Sequence, residues 1–370
     1  ILIMGGGLAG LISAIILQRN GYQVSVFEKK KYPFHRVCGE YISNEVFPFL
    51  ESLNIGISES AHSCINRLAI TSVSGKILQA DLPMGGFGLS RYKLDHLMYE
   101  QARRLGVEFI FEKVDNIFFK EGKFQITTPG NTVYETPIAI AAYGKRSNLD
   151  QKLNRSFFYR RSPYLGVKYH IKTDLPGNLV RLDNFQGGYC GVSKIEDDKF
   201  CLCYLSETAN LKKYSGIAEM EEAVLFKNPY LRSLFKNSEF LFESPEVINE
   251  ISFEKKTLVE NNLLFCGDSA GMITPLCGNG MAIAIHSAKI LADTIIRFAK
   301  KDSILNRFAM ENEYKLQWEK QFALRLKSGR LIQKLFGNTF ISDLTVSTLG
   351  KLPLMTQILV KKTHGKALIY

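Results

Sequence analysis

The 370-residue sequence predicts an α/β fold with a β-rich insertion and a helical C-terminal segment. Three observations predict it. The first 28 residues read as strand, glycine turn, helix and strand, the opening of a Rossmann-like unit. The middle of the chain changes period, from helical spacing to alternation broken by turn residues. Beyond residue 304 the pattern is helical almost throughout.

Taken in order, residues 1–4 are a short apolar run, the mark of a buried strand, and residues 5–10 a glycine turn. A helix is predicted over 11–19 and stops at Asn20-Gly21; residues 23–28 alternate as a second strand. Residues 29–40 form an irregular basic stretch. Leu94, Leu97, Met98, Ala102 and Leu105 recur at helical spacing within 89–105, and Gly106 ends that helix. Strand-like segments follow at 108–111, 116–119, 124–127 and 138–142. The β-rich middle comprises 165–171, 178–183, 188–192 and 200–205, with a helical piece near 218–235. A strand at 263–266 leads through Gly267-Asp268 to a helix over about 278–299.

Composition narrows the function classes. With 46% hydrophobic and 22% charged residues, 29 glycines and 11 prolines, the chain is globular, not disordered or collagen-like. Its length favours two lobes. Seven scattered cysteines contain no C-x-x-C pair and no Cys/His cluster at zinc spacing, so neither a disulfide framework nor a metal site is expected. A reducing, cytoplasmic setting fits that usage. No apolar run reaches the roughly 18 residues that would span a bilayer. A secretory leader is not expected, since the sequence opens on Ile-Leu-Ile-Met, and starting on Ile suggests a few trimmed residues. The net charge of +11 calls for an anionic partner: a phosphate-bearing cofactor, nucleic acid or a membrane surface.

Gly5-x-Gly7-x-x-Gly10 stands where a dinucleotide fingerprint belongs, after a strand and at the start of a helix. Gly5 allows the tight turn, Gly7 lets backbone approach a pyrophosphate, and Gly10 permits close helix–strand packing. The helix N-terminus then offers free N–H groups to phosphate, and Leu8 and Ala9 of the turn are counted with the cofactor contacts. Glu28, at the end of the second strand, can bind ribose hydroxyls and disfavours a 2′-phosphate; Lys29 follows it. This motif alone leaves FAD and NAD both open.

A second constellation decides between them. Cys266-Gly267-Asp268-Ser269-Ala270-Gly271, Pro275 and Gly278-Asn279-Gly280-Met281 resemble the second flavin fingerprint of FAD-dependent monooxygenases and reductases with the para-hydroxybenzoate hydroxylase fold. The resemblance implies that Asp268 binds the flavin ribityl chain and that the turn from Pro275 through Gly278 to Met281 presents N–H groups to the ring. A helix N-terminus there suits the negative charge of a reduced flavin. Ser90-Arg91-Tyr92-Lys93-Leu94-Asp95 resembles the family's Arg-x-x-Leu-Asp segment and places Arg91 near FAD; Val114 is counted with the cofactor contacts. Ala142-Tyr143-Gly144 resembles its Ala-Asp-Gly element, with Gly144 at the cofactor and Tyr143 where hydroxylases carry aspartate.

Arg36-Val37-Cys38-Gly39-Glu40 most resembles the Arg-x-Cys-Gly-Glu segment of geranylgeranyl reductase-like flavoproteins, which puts Arg36, Cys38 and Gly39 beside the flavin. Cys38 reads equally as a pocket residue and as turn packing, and no general acid or base is named. Flavin-dependent halogenases carry a Trp-x-Trp-x-Ile-Pro signature, whereas Trp318 is the one tryptophan here. Electron-transfer-flavoprotein quinone oxidoreductases need four late cysteines, and none follows Cys277.

The resemblance implies an FAD-binding domain assembled from 1–62, 89–160 and 255–300, a substrate-binding sheet domain from 63–88 and 161–254, and a helical segment at 301–370. It implies hydride transfer from flavin N5 to a carbon–carbon double bond of an isoprenoid-like or polyketide-like substrate. The alternative is hydroxylation of an aromatic or polyene-type substrate through a C4a-hydroperoxide; a third reading is a non-catalytic lipid carrier. NAD(P)H is a candidate electron donor, and a hydrophobic small molecule the expected partner. Nucleic acid is not expected. Residues 302–370 carry 11 Lys/Arg against 5 Asp/Glu, which reads as a solvated helix face or as a peripheral contact with anionic lipid.

Overall fold

The computed structural model describes every residue except 61–62, 161, 273–278, 300–304, 334–335, 364–366 and 369–370. Along the chain, β1 (Leu2–Met4), α1 (Leu8–Arg19) and β2 (Ser25–Phe27) form the opening unit. β3 (Tyr41–Ser43), β4 (Ile65–Thr71) and β5 (Ile77–Gly88) follow, then α2 (Arg91–Arg104) and β6 (Glu108–Ile110). A small meander of β7 (Asn116–Lys120), β8 (Lys123–Thr127) and β9 (Val133–Thr136) precedes β10 (Ala139–Ala141). The middle region supplies β11 (Tyr164–Lys172), β12 (Leu179–Phe185), β13 (Gly188–Lys194), β14 (Phe200–Glu207), β15 (Glu239–Phe240) and β16 (Glu246–Ile251). β17 (Val259–Glu260), β18 (Leu263–Phe265), α3 (Gly280–Phe298), α4 (Arg307–Gln333), α5 (Thr339–Gly350) and α6 (Pro353–Thr363) complete the chain.

The first sheet has the order β17-β18-β10-β1-β2-β6 and is parallel except for the β17–β18 pair. Leu2-Ile3-Met4, Ala139-Ile140-Ala141 and Leu263-Leu264-Phe265 are buried without a polar interruption, as strands covered on both faces must be. α1 is buried from Leu8 to Leu17, because it is sandwiched between this sheet and its helical neighbours. Gly10 is what lets α1 sit so close: a Cβ there would lie 1.9 Å from the Gly5 carbonyl oxygen.

The second sheet has nine strands, in the order β15-β11-β14-β13-β12-β4-β5-β3 with β16 also on β11. Its pairings are antiparallel apart from β4 on β12. This is the Rossmann-like domain with an inserted, mostly antiparallel sheet and C-terminal helices that the sequence predicted. The register puts Leu68 and Ile70 beside Val180 and Leu182, and those beside Ser193 and Gly191, so their side chains share one face. α5 and α6 lie over that face. Asp343 of α5 accepts a hydrogen bond from Ser74 Oγ at 2.8 Å, and the Gly187 N–H donates to the Gly337 carbonyl at 2.7 Å.

Candidate functional site

A cavity of about 790 Å³ runs from the carboxyl ends of the first sheet to the face of the second. β1 lies between β10 and β2, the point at which strand order reverses and an open α/β sheet leaves a crevice. Of the residues singled out from sequence, Gly5, Gly7, Leu8, Ala9, Glu28, Lys29, Arg36, Cys38, Gly39, Arg91, Gly144, Asp268, Gly280 and Met281 line this cavity. Three others do not. Gly10 serves packing under the turn, Val114 is buried in the core of the first sheet, and Asn279 is buried behind the start of α3. Val114 was expected at the cofactor; its apolar side chain packs in the core, outside the cavity lining. Pro275 and Gly278 lie outside the described residues.

The near end of the cavity is built for a dinucleotide. Gly7 is the N-cap of α1 and no side chain caps that end, which leaves its first N–H groups for a ligand. Arg91 stands next to it, its guanidinium 3.7 Å from where a Gly7 Cβ would be, aligned by Asp95 at 2.7 and 2.8 Å. Asp95 also accepts from Arg36 Nε at 3.0 Å, and Arg36 Nη2 reaches Glu28 at 3.0 Å. Glu28 in turn accepts the Gly6 N–H at 3.1 Å. One linked set of charges therefore holds the turn, the Glu28 carboxylate and both arginines. Over Gly39 and Gly144 a Cβ would meet nothing within 4 Å, so both leave open space along the cavity.

Farther in, Asp268 faces the cavity, and among the described residues no protein donor bonds its carboxylate. Burial pushes this carboxyl up, against the pull of Lys256, Arg91 and Lys145. Two lysines that the sequence did not reveal are its neighbours. Lys256 Nζ donates to the carbonyls of Lys145 and Asp268, each at 2.7 Å, and burial lowers its ammonium to about 8. Lys145 lines the cavity with its buried Nζ unpartnered among the described residues, and burial lowers it to about 8 as well. The donor set fits FAD: Glu28 for a ribose, the α1 N-terminus and Arg91 for a diphosphate, Asp268 for ribityl hydroxyls. Tyr143, which departs from the aspartate of the hydroxylases, donates from its hydroxyl to Asp150 at 2.6 Å; Arg155 bonds the same carboxylate at 2.9 Å and the Ser269 carbonyl at 3.0 Å. It thereby braces the loop that carries Asp268.

The segment Arg36 to Glu40 lies directly on the second sheet, between the dinucleotide end and the apolar end of the cavity. Glu40 is fully buried with φ of +54°, a left-handed conformation unusual for glutamate. Its side chain is over-determined: it accepts from Lys168 Nζ at 2.5 Å, the Arg91 N–H at 2.7 Å and pairs with His170 Nε2 at 2.7 Å. Lys168 Nζ also donates to the Arg36 carbonyl at 3.1 Å, and Cys201 Sγ to that of Cys38 at 3.2 Å. Burial would raise the Glu40 carboxyl, but Lys168 and His170 outweigh it and hold it below its ordinary value. Glu40, His170 and Cys201 have ligand atoms within 4.8 Å of one another. The Lys168 ammonium already supplies the cation there, and burial keeps the Cys201 thiol protonated. Cys38 lines the cavity as a thiol, since burial raises its titration, so it is a wall and not a nucleophile.

The far end is apolar. Leu68, Ile70, Val180 and Leu182 of the sheet face Val346, Leu349, Leu359 and Val360 of α5 and α6 across it. No helix among the described residues is long and apolar enough to cross a membrane.

Known proteins bear on this geometry. A family profile described as an NAD(P)-binding Rossmann-like domain matches residues 3–45. Protein FixC of Salmonella typhi is 25% identical over 337 residues, 81% of this chain and 77% of FixC. Digeranylgeranylglycerophospholipid reductase 1 of Methanosphaera stadtmanae is 24% identical over 330 residues, 82% of this chain and 76% of the reductase. The structure of the flavin-dependent brominase Bmp2 superposes with a TM-score of 0.78 at 16% identity, over 98% of this chain and 92% of the brominase. These likenesses do not single out the geranylgeranyl reductase branch, to which the Cys38-Gly39-Glu40 segment pointed. What they share with this chain is a flavin-binding oxidoreductase fold related to that of para-hydroxybenzoate hydroxylase.

Proposed function

We propose that this chain is an FAD-dependent oxidoreductase that oxidises an apolar small molecule, an aromatic or polyene-type compound, with molecular oxygen. The observation that carries the reading is the continuity of the cavity, from a charged dinucleotide cradle into an apolar compartment. The size suits a small-molecule site. The whole-chain likeness to a brominase supports an oxidative chemistry.

Bound FAD supplies the electron transfer. The protein's own work is positional. The α1 N-terminus and Arg91 hold the diphosphate, Glu28 the adenosine end and Asp268 the ribityl chain. The Glu40–Lys168–His170 cluster pins the loop that carries Cys38 and Gly39, so the open space above Gly39 keeps its shape. The walls from Leu68 to Val360 exclude water and take up the apolar substrate.

A second reading has its own support: the Arg36 to Glu40 segment and the match to an archaeal reductase favour reduction of an isoprenoid-like double bond. Oxygen separates the two. The purified protein is expected to be yellow and to release FAD on denaturation; a colourless protein that does not bind added FAD leaves only a carrier role. With NAD(P)H as electron donor, product formation from an aromatic or polyene panel is expected in air and not under argon. Turnover that persists without oxygen would replace the monooxygenase reading with the reductase one.

A further inference from the structure

α5 and α6 have two apolar faces each, and the cavity uses only one of them. On α5, Ser342, Thr345, Val346 and Leu349 point into the cavity; on α6, Thr356, Leu359 and Val360 do. The opposite side of α5 carries Phe340, 76% exposed, and Leu344, 57% exposed, with Ile341 at the margin. The opposite side of α6 carries Leu354, 72% exposed, with Met355 and Ile358. Helices apolar all round belong in an interior or against something that covers them. Here the outer side faces solvent.

Charge identifies the cover. Residues 338–370 hold four lysines, Lys351, Lys361, Lys362 and Lys366, and one acidic residue, Asp343. The Asp343 carboxylate is engaged by Ser74 of the sheet domain and does not neutralise the outer face. A second copy of the chain is a poor occupant, because a segment with this excess of positive charge repels its own copy. An anionic lipid surface matches both features, with acyl chains for the exposed apolar residues and headgroups for the net positive charge of the segment. The same two helices roof the apolar end of the cavity. We propose that the outer face of α5 and α6 docks on an anionic membrane surface and holds the roof of the cavity against the lipid. This surface is independent of bound flavin, while the supply of an apolar substrate from lipid rests on the function proposed above.

Flotation with vesicles tests it without turnover, so the result does not depend on whether the flavin reading holds. Phosphatidylcholine vesicles containing phosphatidylglycerol are compared with pure phosphatidylcholine at low and high salt. The protein is expected to float with the anionic vesicles and to be released as salt rises. Leu354→Asp/Met355→Asp is expected to weaken binding about tenfold or more, since it exchanges two lipid-buried apolar side chains for charge. Phe340→Gln/Leu344→Gln on the other helix is expected to act in the same direction, with each variant's circular dichroism matching wild type. No flotation at low salt would overturn the proposal, as would binding unchanged in both variants. Sedimentation showing a dimer that these substitutions convert to monomer would also overturn it, by assigning the face to self-association.

Discussion

Replacing Lys168 with methionine removes the cation from a fully buried pair and leaves the Glu40 carboxylate behind. Both side chains are inaccessible to solvent, and Nζ lies 2.5 Å from Oε1. Breaking such a pair from one side costs about 3–5 kcal/mol, chiefly the expense of the stranded charge. Glu40 keeps two partners, the Arg91 N–H and His170, each at 2.7 Å. The lower bound, about 3 kcal/mol, is therefore expected, roughly two decades in the unfolding equilibrium. Adding Glu40→Gln removes the stranded charge, so the double variant is expected to recover about 1–2 kcal/mol of that loss. Urea unfolding at pH 7 of wild type, both single variants and the double variant closes the cycle. The acid limb provides a second reading. Glu40 titrates below its ordinary value in the folded protein, so its contribution is full above the unfolded value and is lost as pH falls through the folded one. Lys168→Met should flatten that limb. A Lys168→Met loss under about 1 kcal/mol, or strictly additive single variants, would refute the claim that this cluster pins the cavity loop.

Three further outcomes are expected. Asp268→Ala should weaken FAD binding by about ten- to a hundredfold, the worth of charged hydrogen bonds to the ribityl chain, with melting of the cofactor-free protein little changed; fluorescence titration measures it. FAD affinity should fall as pH rises through about 8, where the Lys145 and Lys256 ammonium groups lose their protons, and Lys145→Met should reduce this dependence; a wild-type affinity constant from pH 7 to 9.5 would contradict the assignment. Gly10→Ala should lower thermal stability by about 1–3 kcal/mol, since its Cβ would lie 1.9 Å from a backbone oxygen and α1 would have to move; differential scanning calorimetry reads the shift.

What the sequence by itself determined was local. Glycine spacing, the apolar Leu2-Ile3-Met4 strand and the acid at position 28 act within one βαβ unit, so their meaning survives without knowledge of the rest of the chain. The same holds for the helical stop at Gly106 and for the alternation that announced the second sheet. Only the tertiary structure decided what meets across it. Lys168 and Glu40 are 128 residues apart, and β11 brings them together through a register that no periodicity reports. Lys145 and Lys256 look like ordinary surface lysines in sequence; burial beside Asp268, which comes from the packing of three distant segments, makes them unusual. Val114 packs into the core of the first sheet for the same reason, since an apolar residue goes wherever the core has room. The C-terminal helices roof the cavity because side-chain faces, not residue order, determine which half of an apolar helix is buried.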